Sequence, residues 1–314
     1  METVADLPDL AVMPDADLAP ASVVAPSRVA DFYELTKPRM NFLVVVTTMV
    51  GFFMAVRPGF GDWALLAHTL LGTALAAAGA SVMNQYVERG YDTLMRRTAN
   101  RPLPAGRVAP VEALLLGVLL CTAGTLYLAA LVNALTAALG ALTIATYVFL
   151  YTPLKRRTTL CTLVGAVPGA IPPMMGWAAA TDSLPPQAWA LFGILFFWQM
   201  PHFLAIAVLY RDDYARGGFK MLPVVDEGLV MTGLQMVLYA AALIPVTLTP
   251  VALRMVGPVY LLSAFAMGMA FLGFSMNCAA RKRRVDARWL FLVSIIYLPA
   301  LLGVMMIDKT VRGG

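Results

Sequence analysis

The sequence predicts an all-α integral membrane protein of about nine transmembrane helices, and three observations carry that reading. The 314-residue chain is 60% hydrophobic and only 13% charged, with a mean hydropathy of +0.75. A soluble domain needs far more polar surface. Its apolar residues fall into nine runs, each close to the roughly 20 residues that cross about 30 Å of hydrocarbon. Its cations crowd alternate segments between the runs, as a chain that crosses repeatedly requires. The runs do not alternate strictly, so they read as helices and not as barrel strands. They are spread evenly, which makes residues 36–310 one membrane domain.

Residues 1–35 come first and differ. Glu2, Asp6, Asp9, Asp15 and Asp17 stand among Ala, Pro and Val. With no basic start and no long apolar core, the stretch is not a secretory signal. It is expected to be a disordered cytoplasmic tail. The apolar runs follow near 40–57, 63–84, 111–130, 132–151, 160–180, 187–209, 229–249, 255–276 and 289–307. Pro168, Pro172, Pro173, Pro201 and Pro245 fall inside runs, where neighbouring helices satisfy the freed backbone groups. Cys121, Cys161 and Cys278 form no Cys-x-x-Cys pair. They read as packing residues, with no disulfide or metal framework.

Charge sets the orientation. Of the 23 Lys and Arg residues, 19 lie before the first run or in the even-numbered loops, and 4 (Arg57, Arg254, Lys309 and Arg312) lie on the other side. The N-terminus and even-numbered loops are therefore expected in the cytoplasm, the C-terminus outside, in an inner (plasma) membrane. The net charge of +5 is topological and does not point to nucleic acid. The run Arg281-Lys282-Arg283-Arg284 needs no other explanation.

Chemistry-bearing residues cluster on the cytoplasmic side. Asn84, Glu88 and Asp92 are spaced by four, one stripe at the end of the second helix. Arg96 extends the stripe if the helix survives Gly90. Hard oxygens so arranged suit Mg²⁺, which binds a few carboxylates plus phosphate oxygens. Arg97, Arg101 and Arg107 follow and can grip the same phosphates. Alone, the stripe reads equally as a solvated helix end with local ion pairs. A second group holds Tyr147 and Tyr151 on one face, then Lys155, Arg156 and Arg157: stop-transfer charge or a clamp on a diphosphate. In a third, Asp212 and Asp213 precede Arg216 and Lys220. Transporters place ionisable groups near mid-membrane. Here they sit at one edge, which disfavours transport. The chain has two histidines. His68 has no polar company and reads as packed or interfacial. His202 follows Pro201 inside the sixth run, and histidine is a common haem ligand.

These residues resemble the UbiA superfamily of intramembrane prenyltransferases, and within it the haem-farnesylating branch. The resemblance rests on Thr36-Lys37-Pro38-Arg39, Asn84 to Asp92, Met95-Arg96-Arg97-Thr98 with Arg101-Pro102-Leu103-Pro104, Tyr151 to Arg156, Gly169 to Trp177, Trp198-Gln199-Met200-Pro201-His202-Phe203, and Asp213-Tyr214 with Met221-Leu222-Pro223. It covers residues 30–305. It implies nine helices around a central cavity and a cytoplasmic Mg²⁺-diphosphate site. It implies farnesyl diphosphate and haem b as substrates, haem being no retained cofactor. Asn84, Glu88, Asp92, Asp212 and Asp213 are then the metal candidates. Arg96, Arg97, Lys155, Arg156 and Lys220 face the diphosphate, Tyr147 and Tyr151 the allylic cation, and His202 the haem. The superfamily often spaces its second pair of acids by four, whereas Asp212 and Asp213 are adjacent and position 217 is Gly. Which of the two meets the metal stays open. A sister activity on an aromatic quinone precursor is the alternative. Haem A synthase or terminal oxidase assembly factors are implied as onward partners.

Overall fold

The structure, a computed structural model, describes residues 27–56 and 62–311. Among the described residues nine helices are long and apolar enough to cross a membrane: Pro38–Ala55, Trp63–Asp92, Pro110–Leu131, Ala134–Leu154, Cys161–Thr181, Pro186–Leu209, Val230–Ala252, Pro258–Arg281 and Arg284–Val311. They are spans 1 to 9 here. No strand occurs among the described residues. The chain is a multi-pass, all-α membrane protein, as expected.

The helices outrun the apolar runs where it matters. Span 2 was expected to end near 84 and continues to Asp92, which brings the whole acidic stripe onto one helix. Span 9 starts at Arg284, ahead of the expected 289. Hydropathy registers only the part of a helix inside hydrocarbon, whereas backbone hydrogen bonding carries it further.

The tail expected over 1–35 is not disordered in its last part. Arg28–Leu35 forms a helix whose start is capped by Ser27, accepting from the Ala30 amide at 3.2 Å. Asp31 and Leu35, four apart, are both buried. Leu35 packs with Val82, Leu103, Val108 and Ala113, and Arg107 pairs with Asp31 at 2.7 Å. Arg28 pairs with Glu112. Burial against the segment after span 2 gives this helix its reason to form. The acidic residues from Glu2 to Asp17 lie outside the described residues.

Two spans are broken. Span 4 is α-helical to Ala145, widens into a π-helix over Thr146–Tyr151, and closes with Thr152–Leu154. Span 5 divides into Cys161–Ala170 and Pro172–Thr181, where Pro172 cannot donate to the preceding turn. Pro201 and Pro245 are carried inside continuous helices.

Spans 5 and 6 are the most buried. A core of Leu191, Ile194, Tyr260, Phe271, Leu290 and Tyr297 unites spans 6, 8 and 9. Spans 1 and 5 meet backbone to backbone. Gly51 lies on Pro173 and Gly176 on the Thr48 carbonyl, and a Cβ on either would collide with that backbone. Leu119, Leu126, Phe149, Leu262 and Ile296 point outward, as lipid-facing positions do. At the far end, Lys309 Nζ donates to the carbonyls of Phe53, Met54 and Val56 at 2.9, 2.8 and 2.6 Å. That joins span 9 to span 1. At the other end, the segments after spans 2, 4 and 6 gather together.

Candidate active site

The site is built on the end of span 2. The helix survives Gly90, so Asn84, Glu88 and Asp92 form one stripe, all three buried. It stops at Asp92, so Arg96 does not extend the stripe. Each member meets a partner from another segment. Lys37 Nζ donates to Asn84 Oδ1 at 3.0 Å. Lys155 Nζ donates to Glu88 Oε1 at 2.7 Å. Arg101 pairs with Asp92 Oδ2 at 2.8 Å. Asp92 Oδ1 is buried with no hydrogen-bond partner among the described residues.

The two lysines are tuned in opposite directions. Burial, with Arg101 adding to it, lowers the Lys37 ammonium to about 7. Burial also acts against Lys155, but Glu88 together with Tyr151 and Tyr147 outweighs it and holds Lys155 well above the ordinary lysine range. Lys37 takes a left-handed φ of +48° between the N-terminal helix and Pro38. That costs roughly 1–2 kcal/mol and is held by the packing on either side.

Glu88 opens onto a cavity of about 460 Å³ whose lining includes Tyr91, Thr152, Pro153, Arg156, Arg157 and Phe219. Arg156 lies over the Tyr91 ring at 4.1 Å and donates to its hydroxyl at 2.5 Å. Lys155 sits over the Tyr151 ring at 4.5 Å. Tyr147 and Tyr151 stack with centroids 5.5 Å apart. The backbone of Lys220 donates to the Lys155 carbonyl at 2.7 Å, tying the segment after span 6 to that after span 4.

The structure separates other expected residues from this cavity. Asp212 and Asp213 lie on the short helix Arg211–Arg216. Adjacent helical residues point about 100° apart, so only one can face the stripe's loop. That one is Asp213, which accepts from the Arg96 amide at 3.2 Å and pairs with Arg216. Asp212 is exposed and pairs with Arg284 at 2.5 Å, which holds it below the ordinary carboxylate range. The five metal candidates are therefore not gathered into one cage. Among the described residues, no three Asp, Glu, His or Cys side chains converge as a metal group. Arg96 and Arg97 are exposed, and Arg97 stacks on Tyr210 at 4.9 Å and Tyr214 at 5.9 Å. The Lys220 side chain is exposed. The closest cations to the stripe are instead Lys37, Lys155 and Arg101. The sequence offered Arg101 as one of three arginines after the stripe and Lys37 within the Thr36-Lys37-Pro38-Arg39 motif, and gave neither a partner on the stripe.

Hard oxygens remain for a cation. Asp92 Oδ1 is unspent, and Glu88 and Asn84 Oδ1 share its stripe. Too few acids for a closed cage suits Mg²⁺, which fills its octahedron from substrate oxygens and water.

His202 lies apart. Its ring stacks on Trp198 at 4.9 Å, its Nδ1 meets Ser294 Oγ at 2.7 Å, and Phe291 lies 5.3 Å away. No hydrogen bond to its Nε2 is found among the described residues. His68 meets the Tyr127 hydroxyl at 2.7 Å, between spans 2 and 3.

The profile of the UbiA prenyltransferase family matches residues 44–297. A protoheme IX farnesyltransferase of Solibacter usitatus (strain Ellin6076) is 46% identical over 288 residues, covering 89% of this chain and 98% of that protein. One of Koribacter versatilis (strain Ellin345) is 44% identical over 295 residues, 91% and 95% of the two chains. A solved structure from work on digeranylgeranylglyceryl phosphate synthase superposes with a TM-score of 0.76 at 13% identity, over 90% of this chain and 98% of that one. A UbiA homologue from Archaeoglobus fulgidus, bound to DMAPP and Mg²⁺, gives 0.65 at 15% identity, over 90% and 99%. At such identities the structures speak for the fold.

Proposed function

The chain belongs to the UbiA prenyltransferase family, and from that premise we propose that it transfers the farnesyl group of farnesyl diphosphate to a vinyl group of haem b. Water is added in the same reaction, and the products are haem O and diphosphate. The observation that carries the reaction class is the buried stripe of Asn84, Glu88 and Asp92, set against Lys37, Lys155 and Arg101 with one Asp92 oxygen left over. The choice of substrates is supported by relatives named protoheme IX farnesyltransferase, one of them 46% identical over 98% of its length.

The residues suit the bond changes. As the allylic C1–O bond breaks, its electron pair leaves with the diphosphate, and charge builds on those oxygens. Arg156 and Arg157 line the cavity, and Lys155 is bonded to Glu88 on its wall. These cations hold the leaving group, and Arg96, Arg97 and Lys220 add a positive field from outside. Mg²⁺, when bound through Asn84, Glu88 and Asp92 with help from Asp213, supplies Lewis-acid neutralisation of the diphosphate. The electron-poor C1 is stabilised by the π faces of Tyr147 and Tyr151. The haem vinyl pair forms the new C–C bond. Water then adds to the carbon left cationic and releases one proton. His202, within the bundle, is the candidate to hold the haem.

The bias of 19 cations to 4 supports a cavity facing the cytoplasm of an inner (plasma) membrane, with the C-terminus outside. Delivery of the product to haem A synthase or terminal oxidase assembly factors belongs to the same reading.

Expression in a bacterium that makes no haem O provides the test. Chromatography of extracted haems should show haem O restored. A prenylated quinone precursor in its place would overturn the reading. So would membrane-inserted protein with no new haem.

A further inference from the structure

Thr152 has no part in the chemistry above, yet it is 2% exposed and touches the stripe. It stands where span 4 leaves its π-helix. Such widened turns recur at functional sites. Here the widening sends the Thr152 amide back to the Tyr147 carbonyl, and the Thr152 hydroxyl reaches the same oxygen at 2.8 Å. A hydroxyl has one proton. Given to Tyr147, it leaves Thr152 Oγ1 only lone pairs to offer.

That decides the neighbour. Thr152 Oγ1 lies 3.1 Å from Asn84, whose amide nitrogen must donate to it. On the other side of the amide stands the Lys37 ammonium, a donor, 3.0 Å from Asn84 Oδ1. Flipping the amide would set NH₂ against ammonium and oxygen against lone pairs. Asn84 is itself 2% exposed, so no solvent compensates. The two neighbours do not hold equally once a cation arrives. Lys37 and a metal ion compete for the same oxygen and repel each other. Thr152 touches only the nitrogen and stays.

We propose that Thr152 is a positioning residue, which through its hydroxyl keeps Asn84 Oδ1 turned toward the cation site. This rests on the proposed function, in that a cation binds the stripe. The Thr152 hydroxyl is then the outer support of that ligand, of a kind whose loss typically weakens metal affinity.

The test uses the purified full chain in detergent and Mn²⁺ with inorganic pyrophosphate, read by electron paramagnetic resonance. Thr152→Val keeps the shape and removes the hydroxyl. It should weaken Mn²⁺ binding by about tenfold, and raise the Mg²⁺ needed for half-maximal turnover. Thr152→Ser should bind like the wild type. Thr152→Ala serves as a second hydroxyl-free variant should the valine chain fail to fold. The deciding comparison is in an Asn84→Asp background. A carboxylate has two equivalent oxygens and no wrong orientation, so adding Thr152→Val there should change Mn²⁺ binding little. An equal loss in both backgrounds, or no loss in the first, overturns the role of Thr152 and leaves the cation site standing. A wild type that binds no Mn²⁺ removes the cation site from the proposed function, and the role of Thr152 falls with it.

Discussion

At the far end of the bundle, Lys309 gives its donors to the carbonyls of Phe53, Met54 and Val56, and Asp308 accepts from the Gly257 amide. At the cavity end, Lys37, Lys155 and Arg101 are matched to Asn84, Glu88 and Asp92, and Asp92 still keeps one oxygen without a partner among the described residues. Both ends bury charge, which is costly unless it is compensated. The far end compensates with backbone dipoles. These are fixed by the helices, so the charges there act as a clasp between spans 1, 8 and 9. The cavity end compensates with other side chains, which can change partners when a charged ligand enters. The kind of partner, more than the depth of burial, separates a clasp from a site.

The largest effect should come from Asp92→Ala, which removes the unspent oxygen. Turnover should fall by about 100-fold or more, the scale for one electrostatic group at a reacting centre. The thermal midpoint in detergent should move little. A collapse of folding would make Asp92 another clasp and break the comparison.

Lys309→Met should do the reverse. Three carbonyls lose a charged donor, and stability measured by denaturation should drop by about 2–4 kcal/mol. Turnover per folded molecule should be unchanged. Lost activity in stable protein would bring the far end into the chemistry.

His202 lies between the two ends, its Nδ1 backed by Ser294 and its Nε2 without a hydrogen bond among the described residues. His202→Ala should weaken the use of haem by about tenfold, which is 1.4 kcal/mol, with the KM for farnesyl diphosphate unchanged. Equal losses for both substrates would count against a haem role.

The smallest effect sharpens the contrast. Asp226 lies at the cavity end but is satisfied by the start of span 7. It accepts from the Thr232 amide at 2.7 Å, the Thr232 hydroxyl at 2.8 Å and the Val230 amide at 3.2 Å. Asp226→Ala should cost about 1 kcal/mol of stability and no turnover. Burial acts to raise this carboxyl, but the bonds from Thr232 win and lower it. A group lowered on folding stabilises fully above its unfolded value, roughly 4. That contribution fades as pH falls below it. The gap in thermal midpoint between wild type and variant should therefore be constant near neutral pH and shrink in acid. A gap that widened in acid would reverse the sign.

Much of this was legible from local pattern. Asn84, Glu88 and Asp92 declared themselves because a spacing of four makes one helical stripe whatever else the chain does. The nine spans were legible because hydrocarbon demands long apolar runs. The extension of the stripe to Arg96 did not hold, because it needed the helix to go on. It ends at Asp92, where the following segment folds back and returns Arg101 to the stripe. The helix at Arg28–Leu35 was missed because its reason to form, burial against the segment after span 2, is not local.

The sequence by itself therefore determined the membrane architecture, the acidic stripe and the family resemblance. The first two rest on composition or on spacing within one helix, and the third on short motifs spread along the chain. Only the tertiary structure decided which cation meets which acid. Lys37 reaches Asn84, and Lys155 reaches Glu88, across chain separations on which helix periodicity is silent. It also decided that Asp213 and not Asp212 turns toward the stripe's loop, and that Thr152 holds the Asn84 amide. The physical reason is the same in each case. A hydrogen bond needs an angle and a distance between two elements, and those exist only once the spans have packed.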